Sequence, residues 1–295
     1  MTGVNGFLGN NIAQYYNAKG IKMIGTDLSE TPVIPELPYW QADLTDKETV
    51  EGLFAKTRPQ IVINTVALVD LDLCEVNREL AYKINVQTAE NIVRAAARYG
   101  TRMIHISTDH LFDGKESYYS EDATPAPINN YGATKVQAEN ICLEVHDDVV
   151  MVRTNFYGWS HASHKPTFAE WLHGEIKRKG NIRLFTDYYF TPIEVTALIE
   201  AIDLVIKSDF KGKINIAGSE RCSKYEFGIA LAEIFGLDSS KITTEKMLPG
   251  SFKVKRQPDL SLSLKKFNEL FACRLPGIKD GLLRFKNTRT KAYDK

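Results

Sequence analysis

Three glycines at the start of the sequence constrain the fold more than any other feature. Thr2-Gly-Val-Asn-Gly-Phe-Leu-Gly9 places glycines at 3, 6 and 9, ahead of a helical pattern over 10–19 with Ile12, Tyr15 and Tyr16 on one side. Such a loop turns tightly and lets backbone N–H groups approach a pyrophosphate, while the next helix directs its positive end at the phosphates. A β-type run over 21–26 follows and closes on Asp27, 18 residues past Gly9. From there a carboxylate reaches the adenosine ribose of a dinucleotide. Gly3, Asn5, Gly6, Phe7, Leu8, Gly9 and Asp27 are therefore candidate cofactor residues, with an ordinary glycine turn as the competing reading. A doubly wound sheet needs a central strand ahead of this loop. Here the loop follows Met1 almost at once, so an apolar strand of about 5–6 residues is expected upstream. A GTG codon read as a start, or a true truncation, would account for its absence.

The rest of the first half alternates strand and helix. Pro32, Pro35 and Pro38 make 28–39 a loop, Thr45 opens a helix, and 60–64 is a buried strand. A long helix over 78–99, a strand over 102–107, a helix over 130–146 and a strand over 149–153 follow. This alternation predicts a parallel sheet with helices on both faces, an α/β doubly wound fold. Residues 156–188 show little strand character; a helix over 194–207, a strand over 213–217 and a helix over 223–235 come after them. The expected division is a dinucleotide domain from 1–155 plus 189–218 and a smaller substrate domain from 156–188 plus 219–295.

Composition excludes several classes. Lys+Arg and Asp+Glu both number 37, so no charge excess favours nucleic acid or an anionic membrane. No apolar run approaches the roughly 20 residues of a membrane span, and no signal peptide is visible, which leads to a cytoplasmic expectation. Cys74, Cys142, Cys222 and Cys273 lack zinc or redox spacing and read as reduced thiols. His161, His164 and His173 invite a metal site, but no carboxylate pattern accompanies them, and none is expected.

The chemistry concentrates in two segments. Strand 102–107 runs into Ser107-Thr108-Asp109-His110, and Tyr131-Gly-Ala-Thr-Lys135 opens a helix. The i, i+4 spacing puts Tyr131 and Lys135 on one helix face. A tyrosine alone has a pKa near 10, and a nearby ammonium lowers it. Thr108 then hydrogen-bonds a substrate carbonyl that the tyrosine protonates.

These residues resemble the extended short-chain dehydrogenase/reductases, and among them the dTDP-4-dehydrorhamnose reductase family. The likeness rests on Thr2-Gly-x-x-Gly-Phe-Leu-Gly9, Asp43-Leu44, Asn64, Cys74-Glu75, Asn85-Val86, Asn91, Ser107-Thr-Asp109, Phe112-Asp-Gly114, Tyr131-Gly-x-x-Lys135, Glu139 and Arg153-Thr154. It continues through Gly212-Lys-Ile-Asn-Ile-Ala217, Ser223-x-Tyr-Glu-Phe227 and Arg256-x-Pro258, and so covers nearly the whole chain. The resemblance implies a catalytic set of Thr108, Tyr131 and Lys135, with Asn85 positioning the lysine through water. It also implies that Asp43 and Leu44 flank the adenine and Ala67 lines the dinucleotide groove. Asn85 as a helix cap or buried amide, and Asp43 as a helix cap, stay open as alternatives.

The sequence departs from that pattern where substrate should lie. His110 stands where the reductases carry Tyr, Asn64-Thr-Val-Ala67 replaces an alanine-rich run, and Asn155-Phe-Tyr-Gly158 is closer to the epimerases. Asp109-His110 replaces the Asp-Glu of the related dehydratases, which disfavours elimination. Asp109, His110, Asn155 and Arg256 are the candidate substrate residues. Lys253, Lys255 and Arg256 are either a solvated face or a contact to a nucleotide-sugar diphosphate. The expectation is an NAD(P)H-dependent reductase of a nucleotide-activated 4-keto-6-deoxysugar, with NAD(H) slightly favoured over NADP(H) and a homodimer kept open. A nucleotide-sugar epimerase and a non-catalytic NAD(P)-binding regulatory subunit are the alternatives.

Overall fold

The structure, a computed structural model, describes residues 1–161 and 166–288. In chain order its first half runs α1 (Phe7–Ala18), β1 (Gly25–Asp27), β2 (Tyr39–Gln41), α2 (Lys47–Thr57), β3 (Ile61–Asn64), α3 (Leu71–Val76), α4 (Arg78–Tyr82), a π-helical turn (Lys83–Gln87), α5 (Thr88–Tyr99), β4 (Arg102–Ile106), α6 (Asn130–Val145) and β5 (Val149–Arg153). The second half adds β6 (Phe156–Tyr157), α7 (Phe168–Lys177), β7 (Ile182–Phe185), β8 (Tyr189–Phe190), β9 (Ile193–Glu194), α8 (Val195–Ile206), β10 (Gly212–Asn215), β11 (Cys222–Ser223), α9 (Lys224–Phe235), β12 (Ile242–Glu245), α10 (Lys265–Phe271) and α11 (Ile278–Asn287).

Strands β3, β4, β5 and β10 pair in parallel, as do β1 and β2. Thr2 joins the two groups, bridging in parallel to Thr26 of β1 and Asn64 of β3. Its N–H reaches Ile63 O at 3.0 Å, and Met1 O accepts from Thr26 N at 2.9 Å. The order across the sheet is thus β2-β1-Thr2-β3-β4-β5-β10, the doubly wound arrangement.

The strand period of two sends alternate side chains to opposite faces. On one face Ile104, Ile106, Val150 and Val152 pack under Leu8 and Ile12 of α1 and Leu198 and Ile202 of α8. On the other, Met103, Val149 and Met151 pack under Phe54, Ile92, Ala138 and Cys142 from α2, α5 and α6. A separate apolar cluster gathers Trp159, Leu172, Leu184, Phe190, Phe227, Leu231, Leu282 and Phe285 from the second half of the chain.

Several boundaries differ from expectation. Helix α1 starts at Phe7, three residues early, because Gly6 caps it directly from the loop. Helix α2 begins at Lys47 rather than Thr45, since Asp46 is its cap and accepts from Thr49 N at 2.9 Å. The long helix over 78–99 contains the π-helical turn, and β2 emerges from the proline-rich loop. The stretch 156–188 carries more strand than expected: β7 pairs in parallel with β12, which the sequence did not reveal either. No helix among the described residues is long and apolar enough to cross a membrane.

Candidate active site

The glycine loop forms a cradle. Gly3 has φ +68°, and a Cβ there would stand 2.8 Å from Thr65 Oγ1, so side chains are excluded by both conformation and space. A Cβ on Gly9 would lie 2.0 Å from Gly3 O, which is how closely α1 folds back on the loop. A Cβ on Gly6 would meet only Gly3 O, at 3.2 Å. The middle glycine therefore faces open space at the helix N-terminus, where no side chain caps the first turn, leaving the N–H groups of Phe7 and Leu8 for an anion. Asp27 stands beside the cradle: Oδ2 accepts from Asn5 N at 3.0 Å and Oδ1 from Leu28 N at 2.8 Å. The Asn5 side chain ties the following loop down, donating to Thr31 O at 3.0 Å and accepting from Val33 N at 2.9 Å. Ala67 is half-buried in the loop after β3. Leu44 is buried, whereas Asp43 is exposed and accepts from Thr45 N at 2.9 Å, a local turn ahead of α2. These donors, the open middle glycine and the carboxylate fit a dinucleotide.

Thr108, Tyr131 and Lys135 meet on the buried wall next to this cradle. Asn129 caps α6 by accepting from Gly132 N at 2.9 Å. Glu75 accepts from Asn130 N at 3.0 Å and Asn130 donates to Cys74 O at 2.8 Å, so the Cys74-Glu75 pair clamps the helix head. A Cβ at Gly132 would come 2.3 Å from His110 O, which explains glycine directly after the tyrosine. The Tyr131 ring packs on Cys74 and Ala81, and its edge meets His110 with ring centroids 5.6 Å apart.

The electrostatics differ from the simple expectation. Lys135 does not lower the Tyr131 pKa here. Burial pushes the phenol well up, the Thr108 hydroxyl opposes it, and Asp109 adds to it. Lys135 Nζ instead donates to Ile106 O at 2.8 Å and lies 3.1 Å from His105 Nε2. Burial pushes its pKa down to about 8. The direct hydrogen bonds of Asn85 go elsewhere than Lys135: its Nδ2 donates to Thr134 Oγ1 at 3.0 Å, and its Oδ1 accepts from Leu68 N at 2.7 Å. It sits in the π-helical turn, a distortion frequent at functional sites, and ties that turn to α6.

The residues expected on the substrate side come from both halves of the chain. Thr108 donates to Asp109 Oδ1 at 3.1 Å, and Asn155 Nδ2 donates to Asp109 Oδ2 at 2.5 Å. Burial lowers the His110 pKa; Asp109 opposes this, while Arg256 and Lys224 reinforce it. His110 Nδ1 and Arg256 Nη1 are buried with no hydrogen-bond partner among the described residues. Lys253 and Lys255 point to solvent, so of the basic loop only Arg256 turns inward. Sequence reasoning missed three contributors. Gln257 donates to His110 O at 3.2 Å. Lys224 places Nζ 3.4 Å from the Phe190 ring centroid, and burial pushes its pKa down to about 8. Tyr188 is buried beside Asp109 and Arg256, whose charges act on its phenol. Of the three histidines considered for a metal, His173 packs on Trp159 and Phe235, and His164 lies outside the described residues. Among the described residues no group of three His, Cys, Asp or Glu could hold a metal ion.

A phosphate cradle at the switch of a doubly wound sheet, with Thr, Tyr and Lys on the adjoining wall, defines an oxidoreductase of the extended short-chain dehydrogenase/reductase class. The family described as RmlD substrate binding domain matches residues 1–290, and the chain belongs to it. It is 28% identical over 285 residues to the probable low-salt glycan biosynthesis reductase Agl14 of Haloferax volcanii, covering 96% of this chain and 95% of that one. It is 26% identical over 249 residues to the methionine adenosyltransferase 2 subunit beta of Xenopus laevis, covering 82% and 73%. Its fold matches the dTDP-4-dehydrorhamnose reductase of Bacillus anthracis in complex with NADP, with TM-score 0.85 and 25% identity over 98% of each chain.

Proposed function

We propose that this protein reduces a nucleotide-activated 4-keto-6-deoxysugar with a nicotinamide dinucleotide, Tyr131 donating the proton. The observation that carries the reading is the buried Thr108–Tyr131–Lys135 wall beside a glycine cradle whose middle position is open. The dinucleotide supplies the hydride. Thr108 orients the keto oxygen, and Tyr131, held protonated by burial, is in the acid form that a reduction needs. Arg256 turns toward the same space, where its free guanidinium nitrogen suits a diphosphate. The second apolar cluster, from 157–190 and 222–285, serves as the substrate lobe. Likeness to a reductase and to a subunit beta makes one assay decisive. The protein is mixed with NADH or NADPH and a dTDP-4-keto-6-deoxysugar while the nicotinamide absorbance is followed. Net oxidation of the cofactor is expected. Isomerisation without net oxidation would mean an epimerase, and cofactor binding with neither a binding subunit.

NADH is expected to be accepted at least as well as NADPH, although the Bacillus anthracis reductase holds NADP. Asp27 ends β1 beside the cradle, where a carboxylate bonds a ribose 2′-OH and repels a 2′-phosphate, and no Arg lies among 28–35. Asp27→Ala should lower kcat/KM for NADH about tenfold, the loss of one charged hydrogen bond, without lowering it for NADPH. An unchanged ratio of the two kcat/KM values rules this assignment out.

A further inference from the structure

Strand β4 turns His105 toward α6, on the face it shares with Met103, and the imidazole is fully buried. Its Nε2 lies 3.1 Å from Lys135 Nζ and its Nδ1 lies 3.0 Å from Asn64 Nδ2. The direction of this chain is fixed at its far end. The Val66 backbone N–H can only donate, and it meets Asn64 Oδ1 at 3.1 Å; the Thr2 hydroxyl donates to the same oxygen at 2.7 Å. The amide of Asn64 therefore cannot be reversed, and its Nδ2 donates to His105 Nδ1. A neutral ring that accepts at Nδ1 carries its proton on Nε2. That N–H faces Lys135. An ammonium has three donors and no acceptor, so it opposes an N–H, whereas a neutral amine offers the lone pair the contact needs.

We propose that His105, oriented by Asn64, is a positioning residue that opposes the charge on Lys135 in the cofactor-free protein and so lowers the pH at which the ammonium gives way to the neutral amine. This rests on the reading of Lys135 as part of the reductase site.

The other groups around Lys135 do not override His105. Glu139, one turn further along α6, favours the ammonium, but Arg153 of β5 occupies both its oxygens. Cys142, also on α6, has its thiol pushed up to about 12 by burial and stays uncharged near neutrality. The remaining contact is the Ile106 carbonyl, which accepts from amine and ammonium alike. Burial works in the same direction as His105, against the charge.

Two measurements on the cofactor-free protein test this. Imidazole 15N–1H spectra recorded above the Lys135 midpoint, at about pH 9, and assigned with His105→Gln, should show His105 as the Nε2–H tautomer; an Nδ1–H tautomer would overturn the proposal. In protein carrying 13C-labelled lysine, assigned with Lys135→Met, the Lys135 signal should titrate near pH 8. In His105→Gln the amide oxygen accepts from an ammonium, and the midpoint should rise by about one unit or more. The alkaline fall of kcat/KM should move up with it. An unmoved midpoint in a folded His105→Gln protein would also overturn the proposal. Neither titration needs substrate. A raised midpoint with no turnover of any 4-keto nucleotide sugar would uphold the relay and defeat the reductase reading alone.

Discussion

Tyr131→Phe should lower turnover by about 10²–10⁴-fold, the contribution of a positioned general acid, while the Kd for NADH stays close to wild type. The ring needs no hydroxyl to hold its place: it packs on Cys74 and Ala81, with Leu68 and Leu71 alongside. What disappears is the phenolic hydroxyl beside Thr108, the proposed proton donor. Because burial raises the Tyr131 pKa, the phenol is in its donating form throughout the neutral range, so its own ionisation should impose no alkaline limb below pH 9 or so. Stopped-flow reduction and cofactor fluorescence titration separate the two effects. A drop in NADH affinity as large as the drop in turnover would remove Tyr131 from the chemistry and make it a cofactor anchor.

The largest effect on stability should come from Glu139→Ala. Arg153 is completely buried and holds Glu139 through Nε and Nη2, at 2.7 Å for the closest pair, while its Nη1 donates to Glu121 O at 3.1 Å. Removing the carboxylate leaves a guanidinium in the interior without its counter-charge, at a cost of about 3–5 kcal/mol. Replacing both partners with apolar residues, Glu139→Leu with Arg153→Met, should recover much of that loss, since the desolvated charge goes too. Urea unfolding followed by fluorescence reads both variants. A loss below about 1 kcal/mol for Glu139→Ala would mean that the pair is effectively solvated, contrary to its burial.

The fold was legible wherever a local pattern coincided with a long-range constraint. The glycine loop, Asp27 and the Tyr131–Lys135 spacing each carry their geometry within a few residues, and the structure brings them together. Strand β2 was hidden because its three residues lie at the sheet edge, behind three prolines. The β7–β12 pair was hidden for another reason: its partners are about sixty residues apart, and neither run alternates strongly enough to stand out. The π-helical turn at Lys83–Gln87 keeps a helical pattern, so nothing in the letters marks it. His105 was findable. The period of two in β4 sets it on the face of Met103, toward the helix that carries Lys135, and the same argument would have named it as that lysine's neighbour. Lys224, Tyr188 and Gln257 were not, because each reaches the site only through the path of the chain.

Two hydrogen bonds from the tail have a wider meaning. Asn129, the cap of α6, donates to Lys255 O at 3.2 Å, and Gln257 donates to His110 O. The residues proposed to handle the proton lie within 105–135, whereas those proposed to meet the substrate from the far side lie within 188–257, and such clasps join the second group to the first. Inheritance can therefore treat the two stretches as separable parts. The tail is free to drift toward a new sugar as long as it keeps presenting a carbonyl to Asn129 and an amide to His110, and the reaction itself is carried along unaltered.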